Sequence, residues 1–169
     1  PNNYDFQIPA GGLGKHFRRS INDCIQNRRA FLLPDKARSA RLRKSIDPGN
    51  LRLCGLSWSS IHPEFGNDKS MALATLRPLL ETPGFRFVDL QYGDTSAERA
   101  ALKQKIGIDI VHLDDIDLTK DIDGLAALID ACDVIVTISN TTAHIAGALG
   151  KEVWLMLPLN AARFWYWQA

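Results

Sequence analysis

The sequence predicts an α/β protein built on a doubly wound, parallel β-sheet that is preceded by a helical segment. Three observations indicate this fold class. After residue 50, short apolar segments alternate with segments of helical spacing, and most connections between them are short. The apolar segments are nearly continuous, as in strands that helices cover on both faces. This alternation is typical of a parallel sheet, and right-handed crossovers then favour the doubly wound arrangement.

The predicted strands and helices follow one another in a regular order. The strands are LRLCGLSW (51–58), FRFVDLQY (85–92), IDIVHL (108–113), DVIVTI (133–138) and EVWLML (152–157). The helices between them are MALATLRPLLE (71–81), TSAERAALKQK (95–105), DIDGLAALIDAC (121–132) and TTAHIAGALG (141–150). Turn signals such as Pro83-Gly84 separate neighbouring elements. Five strands and four helices in alternation are therefore expected after residue 50.

Residues 1–50 depart from this order and form a basic leading segment. Two stretches in it, GKHFRRSINDCIQ and DKARSARLRKSI, have helical character, and SIDPGN (45–50) marks the boundary to a sheet domain over 51–169. The segment holds ten Lys and Arg against four Asp and Glu, a balance of +6, whereas the remainder balances at −5. Attraction of phosphates and docking on a neighbouring domain both remain open. Because no base-reading motif is present, we expect no specific nucleic-acid binding.

Composition excludes several other classes of protein. The chain has 169 residues and 46% hydrophobic content, which suits a compact globular domain. No apolar run approaches the ~20 residues of a membrane helix, and no signal peptide begins the chain. Cys54 and Cys132 lie in apolar runs, which predicts reduced core thiols and a cytoplasmic protein. Pro1 is not a natural initiator, so we expect a piece of a longer protein, truncated at its carboxyl end.

The segment ISNTTAHIAGALG (138–150) predicts a ligand site. Ser139, Asn140, Thr141 and Thr142 follow a buried strand and begin a helix that contains His144. Ligands of open parallel sheets bind beyond the carboxyl ends of the strands, and a helix amino terminus favours anions such as phosphate. One polar residue would suffice as a cap. A helix cap with a half-buried histidine remains the alternative interpretation.

Two further loops reach the same predicted edge of the sheet. SSIHPEFGNDKS (59–70) is long for such a connection, and Lys69, at the start of the next helix, could neutralise a diphosphate. An ordinary surface lysine is the alternative. The second strand ends in LQYGDTSAERA, which brings Gln91, Tyr92 and Glu98 to this edge.

Other motifs are incomplete. PAGGLGKH lacks the first glycine of a phosphate-binding P-loop, because Pro9 occupies that position, and His16 follows the lysine where Ser or Thr is required. GLSWSS lacks the GxGxxG fingerprint of dinucleotide binding. The two Asp-x-Asp pairs of DDIDLTKDID (114–123) leave a cation site or a helix-capping loop open. Zinc-ligand spacing and a GxSxG elbow are absent, so we expect no metal and no cofactor.

At the segments GLSW, NDKS, FVDLQYGD…ER, DGLAALIDACDVIVTISNTTAHIAGALGKEVWLMLP and RFWYW, the sequence resembles a bacterial glycosyltransferase. The resemblance is to the carboxyl-terminal half of the heptosyltransferase superfamily, glycosyltransferase family 9, in the form that ends tetratricopeptide-repeat proteins. It covers roughly residues 45–169, and FQIPAGGLGKHFRRS is similar to the segment that leads into this half.

The resemblance implies the second Rossmann-like domain of a B-type glycosyltransferase fold, which binds a nucleotide-sugar donor without metal. Lys69 and His144 would stabilise the departing diphosphate. Ser139 and Asn140 replace the Asp and Thr of the family's Asp-Thr-Gly-x-x-His motif, which bears on heptose recognition but leaves an anion site. The substrate-binding residues expected are Trp58, Ser59, Ser60, Gln91, Glu98, Ser139, Asn140, Thr141 and Thr142.

The function expected from the resemblance is donor binding for sugar transfer. The catalytic base and the acceptor would belong to an amino-terminal domain outside this chain, so this chain alone would bind the donor without turnover. A tetratricopeptide-repeat domain of the same protein would be a further partner. One alternative is a non-catalytic nucleotide-binding or scaffold module, which the serine at position 139 favours. Another is a receiver-type signalling domain, for which Asp114 is near the required position but the acidic pair after the first strand is missing.

Overall fold

The computed structural model describes residues 5–9, 12–20, 22–23, 30–47, 49, 51–159 and 167. By its contacts the chain divides into two compact units, one of Ala30–Arg163 and one of Pro1–Arg29 with Phe164–Ala169. The second unit contains the one-turn helix α1 (Gly14–Phe17), within the first predicted helical stretch. Much of that stretch, Cys24 and the RFWYW tail apart from Trp167 lie outside the described residues.

The unit Ala30–Arg163 is built on a sheet of five parallel strands in the order β3-β2-β1-β4-β5. The strands are β1 (Arg52–Ser57), β2 (Phe85–Asp89), β3 (Ile110–Val111), β4 (Val134–Ile138) and β5 (Glu152–Met156). The chain runs outward from β1 to β3 and then returns to place β4 beside β1. The sheet therefore has its topological switch point between β1 and β4, and the predicted doubly wound fold is confirmed.

One helix of this unit precedes β1, and the others lie in the connections between the strands. They are α2 (Lys36–Ile46), α3 (Gly66–Lys69), α4 (Arg77–Leu80), α5 (Ser96–Ile106), α6 (Ile122–Ala131) and α7 (Thr141–Ala148). The single helix predicted over 71–81 is instead a 3₁₀ turn (Leu73–Leu76) followed by α4. Pro78 lacks the N–H that would continue one helix through this segment. Within the described ranges, no helix has the length and apolar character needed to cross a membrane.

The core is divided between the two faces of the sheet because successive strand residues point to opposite sides. Leu53 packs with the side chains of α6 on one face, and Cys54 packs with Leu73 and Leu102 on the other. At Gly55, an added Cβ would lie 2.4 Å from the Leu90 side chain, so the close packing there requires glycine. Burial raises the pKa of the Cys54 thiol to about 12, as expected for a core cysteine.

Helix α2 belongs to the sheet unit and packs against α6. Arg38 Nη2 lies 2.6 Å from Asp121 Oδ2, and Arg43 Nη1 lies 2.9 Å from Asp133 Oδ2. The hydrogen bond from Arg38 holds the pKa of Asp121 below its usual value. Part of the basic charge of residues 1–50 is therefore paired with carboxylates of the fold. The functional division at residue 50 stays a prediction.

Candidate functional site

A cavity of about 490 Å³ opens at the carboxyl edge of the sheet, beside the switch point between β1 and β4. This volume falls in the range of small-molecule sites, and the location is where doubly wound sheets bind ligands. Its polar lining comes from the loop after β1 and from the start of α7. Among the predicted site residues, those that line it are Ser60, Lys69, Ser139, Asn140, Thr141, Thr142 and His144.

Asn140 shapes the start of α7 and is already committed to the protein. Its Oδ1 accepts hydrogen bonds from Ala143 N at 3.3 Å and from Thr137 Oγ1 at 3.1 Å. Its Nδ2 donates to Ser57 Oγ at 2.7 Å, which joins the ends of β4 and β1. The oxygen of this side chain caps the helix, and its nitrogen joins the two strands. Asn140 therefore has a structural role that is independent of a ligand.

Unlike the side chain of Asn140, the backbone N–H groups of Thr141 and Thr142 have no hydrogen-bond partner within the described part of the chain. The first N–H groups of a helix have no intrahelical acceptor, and Asn140 caps only that of Ala143. Together with the positive end of the helix dipole, the two threonine N–H groups make the start of α7 suitable for an anion.

Lys69 is buried, with only 6% of its surface exposed, although it lines the cavity. It ends the short helix α3, so the sequence-based placement at the start of the next helix was wrong. Its Nζ lies 5.9 Å from the centre of the Phe65 ring, and loss of hydration lowers the pKa of Lys69. Gly66 permits the tight loop, because a Cβ there would lie 2.5 Å from the Ser60 carbonyl oxygen.

His144 lies in the first turn of α7, exposed towards the cavity as predicted from the helix start. Partial burial of the ring, and secondly the charge of Lys69, lower the pKa of His144. The two side chains come from distant parts of the sequence and still interact electrostatically. An anion between them would relieve this repulsion, so the site is electrostatically suited to a diphosphate.

A second wall, from the residues after β2 and from α6 with the loop before it, is largely apolar. It consists of Leu90, Tyr92, Leu118, Ile122 and Leu125. The Tyr92 hydroxyl accepts a hydrogen bond from Ile61 N at 2.9 Å and so ties the long loop to the end of β2. Tyr92 was placed at this edge from the sequence, whereas the four aliphatic positions were missed because in the sequence they look like core. A site with one charged wall and one apolar wall fits a nucleotide, which has both kinds of surface.

Four predicted site residues lie outside the cavity lining: Trp58, Ser59, Gln91 and Glu98. The indole Nε1 of Trp58 donates to Glu98 Oε2 at 2.6 Å. Gln91 is buried, and its Oε1 accepts from Ser57 Oγ, Trp58 N and Ser59 N at 3.0, 2.9 and 2.8 Å. These groups hold the first residues of the long loop in place and reach the cavity only through that loop.

Asp89 is the centre of a second polar network at the end of β2. Its fully buried carboxylate accepts from Gln91 N at 2.9 Å and from the hydroxyl of Thr95. Its Oδ2 lies 2.9 Å from His112 Nδ1 and 3.2 Å from Arg99 Nε. Since every one of these partners is a group of the protein, the network supports the backbone beside Gln91.

No metal site is evident in the described ranges, where no three His, Cys, Asp or Glu side chains are grouped to hold an ion. In the acidic loop before α6, Asp117 accepts from Thr119 N at 2.9 Å, and Asp121 caps α6 by accepting from Gly124 N at 2.8 Å. These contacts fit the helix-capping interpretation of that loop. Independence of metal stays a prediction.

The strand order decides against the receiver alternative. Receiver domains have the order 2-1-3-4-5, whereas this sheet has 3-2-1-4-5. Asp114, the candidate phosphorylation site, has a fully exposed side chain, and its Oδ1 lies 3.5 Å from His112 Nε2. The strand order 3-2-1-4-5 is that of dinucleotide-binding Rossmann folds.

Comparison with known proteins gives one sequence relative and one structural neighbour. The sequence is 36% identical over 140 residues to Protein FlbA of Caulobacter vibrioides, a match that covers 82% of this chain and 24% of the relative. The fold is similar to the crystal structure of a glycosyl transferase family 9 protein from Veillonella parvula. That match has a TM-score of 0.55 and 11% identity, and it covers 82% of this chain and 47% of the other. No known family profile matches the chain.

The structural neighbour shows a glycosyltransferase-type fold. The chain spans about a quarter of the length of FlbA (24%) and about half of the solved chain (47%). These matches therefore do not assign an activity to this chain. Neither match bears on a tetratricopeptide-repeat partner, a bacterial source or a cytoplasmic location, which all stay predictions.

Proposed function

We propose that the chain is the nucleotide-sugar donor-binding domain of a metal-independent glycosyltransferase. The observation that carries the proposal is the meeting of Lys69, His144 and the free N–H groups of α7 in one cavity at the switch point of the sheet. The apolar wall of the same cavity supplies a surface for the nucleoside. Because the structural neighbour is a glycosyl transferase, we propose sugar transfer as the reaction class.

The mechanism follows from the charge that develops during transfer. As the sugar leaves, negative charge builds up on the diphosphate, and preorganised donors in a dehydrated site stabilise that charge. Lys69 supplies a buried ammonium group, and Thr141 and Thr142 supply backbone N–H groups. His144 would take up a proton when the diphosphate binds and would then donate to it.

Lys69 and His144 also explain how the reaction would proceed without a metal ion. Two cationic groups beside a diphosphate neutralise charge that other enzymes neutralise with Mg²⁺. The base that removes the acceptor proton would lie on the amino-terminal domain, as the family resemblance implies. We therefore propose that this chain binds the donor but does not transfer the sugar by itself.

Isothermal titration calorimetry tests the proposal. We expect uridine, adenosine or guanosine diphosphate to bind with a dissociation constant below about 1 mM, equivalent to at least ~4 kcal/mol, and equally well with a chelator present. No heat of binding for any of the three at millimolar concentration would overturn the proposal. Binding that disappears with the chelator would overturn only its metal independence.

A second candidate is a nucleotide-binding module that has lost catalysis and serves as a scaffold. Ser139 favours it, because this buried serine stands where the resembling family has an aspartate. The two candidates share donor binding and differ in turnover. Sugar transfer, or slow hydrolysis of the donor, by a protein that also contains the amino-terminal domain would decide for the enzyme.

A further inference from the structure

His62 lies in the long loop after β1 and lines the cavity, but neither the motif nor the resemblance assigns it a role. It is exposed, and it precedes the short helix α3 that carries Lys69. The loop therefore brings the side chains of His62 and Lys69 to one cavity. The positive charge of Lys69 gives it a role in binding a diphosphate, whereas His62 has no role so far.

The hydrogen bonds of the loop determine which ring nitrogen of His62 carries the proton. His62 Nδ1 accepts from the backbone N–H groups of Glu64 and Phe65, each at 3.2 Å. A nitrogen that accepts two N–H groups has no proton of its own, so the neutral ring carries its proton on Nε2. In the described part of the chain, Nε2 has no protein hydrogen-bond partner.

Phe65 fixes the position of this ring relative to Lys69. The rings of His62 and Phe65 are stacked, with centres 5.3 Å apart and planes at 26°. The same Phe65 ring lies 5.9 Å from Lys69 Nζ. One aromatic side chain thus contacts both the imidazole and the ammonium group, and the two donors occupy defined positions on the same loop.

We propose that His62 donates its Nε2–H to a phosphate oxygen of the bound nucleoside diphosphate. The inference rests on the proposed function and names a further contact of the same site. A neutral donor suits this position, because another cation would add to the positive charge of Lys69, which, after burial of the ring, is the second cause of the lowered pKa of His144. His62 then has two roles on two atoms, with Nδ1 holding the loop and Nε2 contacting the ligand.

Two substitutions separate these roles. In His62→Asn, the side-chain oxygen takes the place of Nδ1 and keeps the loop contacts, but the Nε2 donor is lost. In His62→Gln, an amide N–H₂ reaches the place of Nε2, but the Nδ1 acceptor is lost. Calorimetry with the tightest of the three nucleoside diphosphates, and with inorganic pyrophosphate, measures ligand contact, and thermal unfolding measures the loop.

We expect His62→Asn to weaken binding of both probes by roughly tenfold or more with little change in melting temperature, since the lost bond has a charged acceptor. His62→Gln should bind within about threefold of the wild type while melting at a lower temperature. Normal binding by His62→Asn, or weakening by both variants together with lower melting temperatures, would reduce His62 to a loop cap. A loss seen with the nucleotide but not with pyrophosphate would overturn the phosphate contact.

The wild-type titration separates this inference from the proposed function. If the wild type binds none of the nucleoside diphosphates, the proposed function fails and the inference fails with it. If the wild type binds and His62→Asn binds equally well, only the inference fails.

Discussion

Two groups of polar side chains lie at the same edge of the sheet and do different things. At the end of β2, Asp89 and Gln91 are buried and use their oxygens on protein N–H and O–H groups. After β1 and β4, Lys69, His144 and the first N–H groups of α7 line the cavity. Position at a sheet edge therefore does not distinguish a ligand group from a structural group. At the end of β2, the internal hydrogen-bond partners identify Asp89 and Gln91 as structural groups.

The group at the end of β2 also supports the group at the cavity, but not the reverse. Gln91 fixes the backbone of Trp58 and Ser59, which begins the loop that carries Lys69. Loss of the Gln91 side chain is expected to reach the cavity through the position of this loop, whereas damage at the cavity should leave the end of β2 intact. Substitutions can therefore break or sharpen the distinction.

The largest expected effect is on stability at Asp89. Asp89→Ala leaves Arg99 and His112 without their buried partner, and removal of one member of a buried pair costs about 3–5 kcal/mol. Urea unfolding measures this loss. Nucleotide affinity of the protein that remains folded should change by less than about threefold. A stable Asp89→Ala variant that no longer binds nucleotide would place Asp89 among the ligand groups.

Gln91→Ala should show a smaller loss of stability. It leaves the buried N–H of Trp58 and the neighbouring N–H of Ser59 without an acceptor, at an expected cost of about 2–3 kcal/mol in the free energy of unfolding. Gln104→Ala is the matched control, because Gln104 is an exposed glutamine of α5. Equal stability of the two alanine variants would contradict the structural role of Gln91.

Lys69→Met should affect binding rather than folding. We expect nucleoside diphosphate binding to weaken roughly ten- to a hundredfold, from the loss of a charge-assisted hydrogen bond. Stability should not fall, because the buried ammonium group is itself costly and an unbranched apolar chain replaces it. Lys103→Met is the control, since Lys103 is 60% exposed beside Asp109 and is not among the residues that line the cavity.

The lowered pKa of Lys69 also predicts a pH dependence. In the folded protein Lys69 loses its proton at lower pH than in the unfolded chain. Its burial cost is therefore fully present below the folded pKa and is relieved as pH rises through that value. Between the folded and the unfolded pKa of Lys69, the free energy of unfolding of the wild type should therefore rise with pH relative to that of Lys69→Met. Urea unfolding across the pH range measures this difference. Parallel pH profiles would show that Lys69 is hydrated.

The smallest expected effect is on the titration of His144. Burial and the charge of Lys69 hold its pKa below the ordinary value of about 6.5, so the pKa should rise in Lys69→Met and also when a diphosphate binds. Because the unfolded chain binds this proton more readily, stability should increase as pH rises through the folded pKa towards about 6.5. Proton NMR of the imidazole checks both shifts. An unchanged His144 pKa in Lys69→Met would show that the two groups do not interact.

The fold followed from sequence because its signals are local. Near-continuous apolar strands, short connections and helix caps each predict one element, and together they determine a doubly wound sheet. Two elements differ from the prediction. Pro78 interrupts the helix predicted over 71–81, and β3 pairs over only two residues, Ile110 and Val111, of the predicted 108–113.

The candidate site was harder to predict because it depends on partners distant in sequence. The motif around His144 placed the start of α7 at the cavity, but nothing near Lys69 in the chain indicates its burial. Glu98 and Trp58 contact each other across forty residues, and their partnership was invisible in either segment. Their expected role in donor binding stays a prediction, and the geometry assigns each a structural contact.

Amide chemical-shift mapping during titration with a nucleoside diphosphate tests most directly where the ligand binds. We expect the largest shifts at the backbone N–H groups of Thr141 and Thr142, with the loop before Lys69 next, because these groups face the anion. The amides of Gln91 and Thr95 should change little, because their neighbourhood is occupied by protein contacts. Large shifts at Gln91 and Thr95, with none at Thr141 and Thr142, would contradict the assignment of the site.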